Sequence, residues 1–189
     1  MAILHSRPNI QSTRIRFLWK PHSPVMRWLP ATITDEFKSH NGFVAVHLLG
    51  ILPIARFSGA PVSKGEVMRA LAEMPWRPFG FAEQPNLIWD AASERHLRVT
   101  FHDNRVTASI NFEVDNEGRI LSAVASDRPR IVGKSVVVTP WPGVFEQYRL
   151  FADVRVPSRA EVHWHLPEGQ FDCWRERVTD FRLIQGKDS

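Results

Sequence analysis

The residues best placed to do chemistry lie near the end of the chain, where His163, His165 and Asp172 flank the sequence Pro167-Glu168-Gly169. A tight turn at Pro167 to Gln170 would pair Leu166 with Phe171, His165 with Asp172, Trp164 with Cys173 and His163 with Trp174. Side chains alternate across a strand, so that register places Glu161, His163, His165, Asp172, Trp174 and Glu176 on one face. Two imidazoles beside a carboxylate match a two-His, one-carboxylate metal site, and directly opposed Glu161 and Glu176 would repel unless neutralised. A solvent-facing polar surface accounts for the same pattern. Cys173, the single cysteine, falls on the other face with Val162, Trp164, Leu166 and Phe171, away from both histidines. With no base beside it, it reads as a small core residue rather than a nucleophile.

Two further sets of residues could hold a ligand. In Asp127-Arg128-Pro129-Arg130 the guanidinium groups could clamp a carboxylate or phosphate, although an Asp/Arg pair bracing a loop fits equally. The seven tryptophans, Trp19, Trp28, Trp76, Trp89, Trp141, Trp164 and Trp174, are candidate walls of an apolar cavity, Trp28, Trp76, Trp89, Trp141 and Trp164 foremost; otherwise these rings fill a core. The motifs that define common enzyme classes are missing: no phosphate-binding glycine loop, no G-x-S-x-G, no H-E-x-x-H and no paired C-x-x-C. No catalytic residues and no cofactor are therefore assigned.

These groups need a scaffold, and periodicity supplies one. Ser63-Lys64-Gly65-Glu66 has capping-box spacing, and Val67, Ala70, Leu71 and Met74 follow at the spacing of one helical stripe, with Glu66, Arg69 and Glu73 opposite. A helix over about 64–74, stopped by Pro75, is predicted. Val67 and Leu71 on that stripe either roof a ligand pocket or pack on a sheet. Elsewhere the period is two. Leu97, Val99 and Phe101, then Val106, Ala108, Ile110, Phe112 and Val114, alternate on either side of a turn at His102-Asp103-Asn104-Arg105. A second turn is expected at Asp115-Asn116-Glu117-Gly118, and a strand follows over 119–125. Phe43 to Leu52 reads as one buried strand after a turn at Asn41-Gly42. Further strands are expected over about 134–139, 144–150, 160–166 and 171–183, with turns at Pro140-Trp141-Pro142-Gly143, Pro157 and Pro167-Glu168-Gly169.

The expected fold class is α+β, mainly antiparallel β: a curved sheet, sandwich or incomplete barrel covered by one main helix. Residues 1–13 form a loose lead-in and 14–185 a single β-rich domain. A chain of 189 residues with 43% hydrophobic content suits a globular protein with a substantial core. One cysteine demands no oxidising compartment, no apolar run is long enough to span a bilayer, and a cytoplasmic location is the expectation. The formal charge of +4 is small and its basic residues are interleaved with acids, which argues against nucleic acid as partner. Oligomeric state is not legible.

The order of several segments resembles a bacterial family catalogued as a domain of unknown function, whose members are uncharacterised proteins. The matching stretches are Gly42 to Gly50 with Ile51-Leu52-Pro53-Ile54-Ala55, the run from Gly65-Glu66-Val67-Met68 through Met74-Pro75-Trp76-Arg77-Pro78, and Leu87-Ile88-Trp89. Asp127-Arg128-Pro129-Arg130, Pro140-Trp141-Pro142-Gly143 with Tyr148-Arg149, and Pro157 through Glu161-Val162-His163-Trp164-His165 to Trp174-Arg175 complete it. The resemblance covers about 14–183 and implies extra upstream sequence, a strand or a membrane-targeting segment, in relatives. It brings no activity, cofactor or site residues. A curved sheet under a helix is also similar to bacterial lipoprotein-carrier domains, a likeness of fold alone.

The reading that combines abundant rings with missing catalytic motifs is a non-enzymatic binding domain whose curved sheet and helix enclose a cavity for a lipid or other hydrophobic small molecule. The alternatives are a metal-dependent enzyme using His163, His165 and Asp172, and a protein-interaction or structural module using an exposed sheet edge.

Overall fold

The period-two segments of the sequence become two antiparallel sheets, and the helix lies between them. A computed structural model describes residues 17–19, 22–26, 29–38, 41–48, 51–77, 84–133, 135–151 and 153–181. The first sheet contains β1 (Phe17–Trp19), β2 (His22–Met26), β3 (Leu29–Lys38), β4 (Asn41–Leu48) and β5 (Leu52–Ser58). Its path is β1-β3-β4-β5, with β2 also paired to β3. Next come helix α1 (Ala60–Ala72) and a 3₁₀ turn at Met74–Trp76. The second sheet is a seven-stranded meander of β6 (Leu87–Ser93), β7 (His96–His102), β8 (Thr107–Val114), β9 (Ile120–Val132), β10 (Ser135–Phe151), β11 (Val154–Leu166) and β12 (Gly169–Arg177). Each strand pairs with its sequence neighbour, and β6 and β12 remain the two edges, so the sheet does not close into a barrel. The α+β, mainly antiparallel reading holds.

Helix α1 differs from its predicted form in a way that explains the interior. It begins at Ala60, four residues before the expected start, with Gly59 as N-cap at φ 107° and Pro61 in the first turn, a position where the missing amide costs nothing. Ser63 and Glu66 therefore sit inside the helix and form no capping box. Ser63 Oγ instead accepts the backbone N–H of Gly42 in β4 at 2.8 Å, and Glu66 is buried facing Arg128 of β9 at 3.9 Å. The amphipathic stripe is likewise corrected. Val67, Ala70, Leu71 and Met74 are buried, as expected, yet Val62, Gly65, Glu66, Met68 and Glu73 are buried too, because α1 packs on β3–β5 on one side and on β8 and β9 on the other. Burying Val67, Met68 and Leu71 against Val99, Ile110 and Phe112 is worth about 1.5–3 kcal/mol per side chain.

Three other expectations shift. The apolar run from Phe43 to Leu52 is divided between β4 and β5, which fold back on each other with Leu48 opposite Leu52; Asn41 and Gly42 already belong to β4. Pro140-Trp141-Pro142-Gly143 and Pro157 are not turns but lie inside the long strands β10 and β11. Proline survives there because the ladder is interrupted: the register slips between Thr139 and Trp141, and Gln147, at φ 52°, leaves the ladder opposite Ser158, whose hydroxyl donates to its carbonyl at 2.7 Å. The Asp115–Gly118 turn forms as expected, with Gly118 at φ 76° and the Asp115 carboxylate accepting the amides of Glu117 and Arg119.

Gly42, where β4 meets α1, and Gly65, where α1 faces β9, make opposite predictions. A Cβ on Gly42 would lie 2.7 Å from Ser63 Cα, so Gly42→Ala should lower the unfolding free energy by about 1–3 kcal/mol. A Cβ on Gly65 would meet only Pro129 O at 3.7 Å and Arg128 Nε at 3.8 Å, so Gly65→Ala should be neutral or stabilise by up to about 1 kcal/mol. Urea midpoints at unchanged slope measure both; equal effects of the two substitutions would contradict the packing described.

Candidate functional site

Along β10 the inward-facing positions read Trp141, Gly143, Phe145, two large rings separated by a residue with no side chain. The gap above Gly143 is the floor of a cavity of about 160 Å³. The last turn of α1 supplies one wall through Arg69, Ala72 and Glu73, and Trp76 of the 3₁₀ turn stands beside it. The opposite wall comes from Val162 and Trp164 of β11 with Cys173 and Trp174 of β12, while Arg128 of β9 closes one end.

The rings are held by specific contacts. Trp76 meets Phe145 and Trp174 edge to face, at centroid separations of 5.2 and 6.0 Å, and its indole N–H donates to the Pro157 carbonyl at 2.9 Å. Trp141 lies 6.3 Å from Trp164. The Arg128 guanidinium stacks over Trp141 at 4.0 Å and also lies 5.3 Å from the Trp164 ring, while Arg130 stands 5.9 Å from Trp164. Guanidinium and indole attract through the ring quadrupole, and more strongly where water is excluded. The charges around the site are paired within it: Arg128 faces Glu66, and Glu73 accepts Arg69 and Arg77 at 3.4 Å each.

The Trp141 indole N–H is buried and has no hydrogen-bond partner that meets full geometry. It is directed at the sulfur of Cys173, a weak acceptor. The Cys173 thiol itself donates to the Val162 carbonyl at 3.3 Å. Burial pushes the thiol above its ordinary value, against the opposing pull of the Trp141 N–H and of the Arg128 and Arg69 charges. The thiol is therefore neutral near pH 7 and is not an activated nucleophile.

Of the residues singled out from sequence, Trp76, Trp141, Trp164 and Arg128 line the cavity together. Val67 and Leu71 do not; both are sealed in the core between α1 and the sheets. Trp89 is 47% exposed on β6, away from the cavity. Asp127 and Arg128 are neighbours on a strand and so point to opposite faces: Asp127 pairs outward with Lys64, and neither braces a loop. Trp28 lies outside the described residues.

The terminal hairpin has a different register from the one expected. Its turn contains only Pro167 and Glu168, with Leu166 opposite Gly169, so His163 rather than His165 faces Asp172. A bulge at Cys173 then places Trp174 opposite Val162 and Glu176 opposite Ala160, turning both toward the interior. Glu161 consequently faces Arg175, not Glu176, and is bridged by Arg159 at 2.8 Å. The same bulge brings Cys173 to the cavity wall rather than into the core. Asp172 accepts from His163 Nδ1, Gln170 and Arg175 on its two oxygens, and the Gln170 and His163 hydrogen bonds hold its carboxyl below the ordinary value. Its oxygens are thus committed within the hairpin. Among the described residues, no group of three His, Cys, Asp or Glu side chains is arranged to hold a metal ion.

Sequence reading passed over Gly143, Phe145, Arg69 and Glu73 as cavity residues. The legible signal was Trp141-x-Gly143-x-Phe145, period two with one ring missing, hidden by reading its prolines as a turn.

The family model described as a family of unknown function (DUF6920) matches residues 5–182. The chain belongs to that family. No curated protein and no solved structure matches it. The match to DUF6920 spans every element that builds the cavity, from α1 to β12. No helix among the described residues is long and apolar enough to cross a membrane.

Cys173 is exposed as a residue, but its sulfur is partly desolvated at the cavity wall, and that sets a pH expectation. The folded Cys173 ionises only above the ordinary thiol value of 9.0, whereas the unfolded chain ionises at it. The unfolded state thus loses its proton first, and this group's contribution to stability falls as pH rises past that value. Iodoacetamide should alkylate native Cys173 with a rate–pH midpoint above 9.0, and the urea-unfolded chain with a midpoint near it; coincident profiles would show the thiol to be solvated.

Proposed function

We propose that this protein is a non-enzymatic binding domain that takes the hydrophobic end of a small molecule into the cavity above Gly143. The observation that carries the reading is the composition of that cavity: Trp76, Trp141, Phe145, Trp164 and Val162 surround a gap beside Gly143, with Arg69, Glu73, Arg128 and Cys173 as the polar part of the lining. A gap in a strand face that one alanine or valine could have filled forgoes packing energy, and ligand binding gives that loss a use. Its volume of about 160 Å³ sets the scale of the guest. A cavity of roughly 150 Å³ holds a molecule the size of benzene, whereas sites that enclose a whole drug-sized ligand run to about 300–1,000 Å³. The guest therefore inserts one ring, or about six carbons of a chain, and a lipid would leave most of its length outside.

A second reading, a protein-interaction module, draws on the tip of the β9–β10 hairpin, where Ile131, Val136 and Val138 share an exposed face. Recovery of a stable heteromeric complex from the native cell, lost on Val138→Lys, would favour it over the cavity reading.

Gly143→Val separates binding from folding. A Cβ at Gly143 would meet Val162 Cγ2 at 3.4 Å and Glu161 O at 3.6 Å, ordinary contacts, and the rest of the side chain would enter the cavity. The neutral probe 4-phenylbutan-1-ol should bind the native protein with Kd about 0.1–1 mM by calorimetry, and Gly143→Val should abolish that binding while the thermal midpoint changes little. Equal binding to both proteins, or to neither, would remove the cavity from consideration.

A further inference from the structure

We infer that the tip of the β9–β10 hairpin docks the protein on an anionic lipid bilayer by inserting its exposed valines at the headgroup boundary. The residues that do this are separate from those that line the cavity, so either reading can fail without the other.

Register shows how far the hairpin projects. Among the described residues, β9 pairs with β8 over 120–124 and β10 pairs with β11 from Gly143 onward, so 128–132 and 135–139 form a ladder with each other alone. Helix α1 reaches this hairpin at Arg128 and Pro129, the neighbours of Gly65. From Pro129 the strand runs on to Val132, roughly 10 Å at the rise of an extended chain. The two-stranded tip therefore continues past the ladders of both neighbouring strands.

That tip is apolar on both faces. Ile131, Val136 and Val138 share the outer face, while Val132 and Val137 lie on the inner one, which nearer the body of the sheet carries buried Thr139. Exposure is 37–50% for Ile131, Val132, Val136 and Val137, and 63% for Val138. A protein contact on one face of the ribbon would account for the outer set and leave the inner set in water. An apolar phase that surrounds the tip covers both. The outer backbone edges of the ribbon have no ladder partner among the described residues, and hydrocarbon does not tolerate such edges. Insertion therefore stops at the headgroup boundary, about 5–10 Å deep, where water still reaches them. The projection of the tip matches that depth.

Charge selects the lipid. From Arg128 to Phe145 the sequence contains no acidic residue, and its charges are Arg128, Arg130 and Lys134. Arg128 faces Glu66 inside the fold. Arg130, bonded through Nε to Thr139 Oγ1 at 3.4 Å, has no carboxylate partner among the described residues. Lys134 joins the two strands in sequence, and the whole chain carries a formal charge of +4. Basic residues next to an inserted apolar tip are drawn to negatively charged headgroups, each strengthening binding about fivefold at low salt.

The test is co-sedimentation of the full chain with vesicles of phosphatidylcholine, with or without about 30% phosphatidylglycerol. Binding to the anionic vesicles should have a partition constant on the order of 10⁴ M⁻¹, about tenfold above that for neutral ones, and about 0.5 M NaCl should remove the difference. Val132→Asn and Val138→Asn, on opposite faces, should each weaken binding about threefold or more, with urea midpoints unchanged because both side chains are exposed. Equal binding to neutral and anionic vesicles would overturn the lipid assignment. Absence of binding to either, or binding that neither substitution weakens, would overturn the docking itself. So would a lipid-free dimer in sedimentation velocity that Val138→Asn dissolves, since the tip would then belong to a second copy of the chain.

Discussion

One close approach of two backbones organises the interior: at Gly42, β4 lies directly against the first turns of α1, with the Gly42 amide bonded to the Ser63 hydroxyl. A helix drawn so tightly onto one sheet while its other side rests on β8 and β9 has almost no face left for water. The polar residues that the chain places on it must then be satisfied inside the fold. Glu66 and Glu73 are the result, two carboxylates buried between the layers, each facing arginine. Unpaired, either would be very costly to desolvate.

The cavity inherits its character from that arrangement. Arg69 and Arg128 are drawn to its rim by the buried carboxylates, and the tryptophans that stack on Arg128 extend from the neighbouring strands. The polar end of the site is therefore tied to the packing of α1, while its apolar end depends on the absence of a side chain at Gly143. The ion pairs around the cavity and the empty space within it thus have separate structural origins, one electrostatic and one steric.

Much of this architecture was legible from local chemistry. Alternation from Leu97 to Val114 and the Asp115–Gly118 turn gave the meander correctly, because each depends on neighbours in sequence. What failed depended on distant partners. Ser63 and Glu66 have the spacing of a capping box, but a tertiary amide and a tertiary guanidinium claim their side chains. Pro140, Pro142 and Pro157 look like turns, since nothing local reveals that the ladder is interrupted beside them. At the terminal hairpin a shorter turn and one extra residue at Cys173 changed which side chains meet. The tryptophans carry no local mark of where they end up, and only tertiary structure separates Trp141 and Trp164 in the cavity from Trp89 on the surface.

The strand order has a kinetic side. In the seven-stranded sheet every ladder joins consecutive segments, so each can close over a short loop without waiting for the rest of the chain. The helix has no such independence, because it is covered only when material from both of its flanks has assembled. Docking of α1 is thus suited to be the late, cooperative step of folding, and the cavity, whose wall is the end of that helix, comes into existence only then.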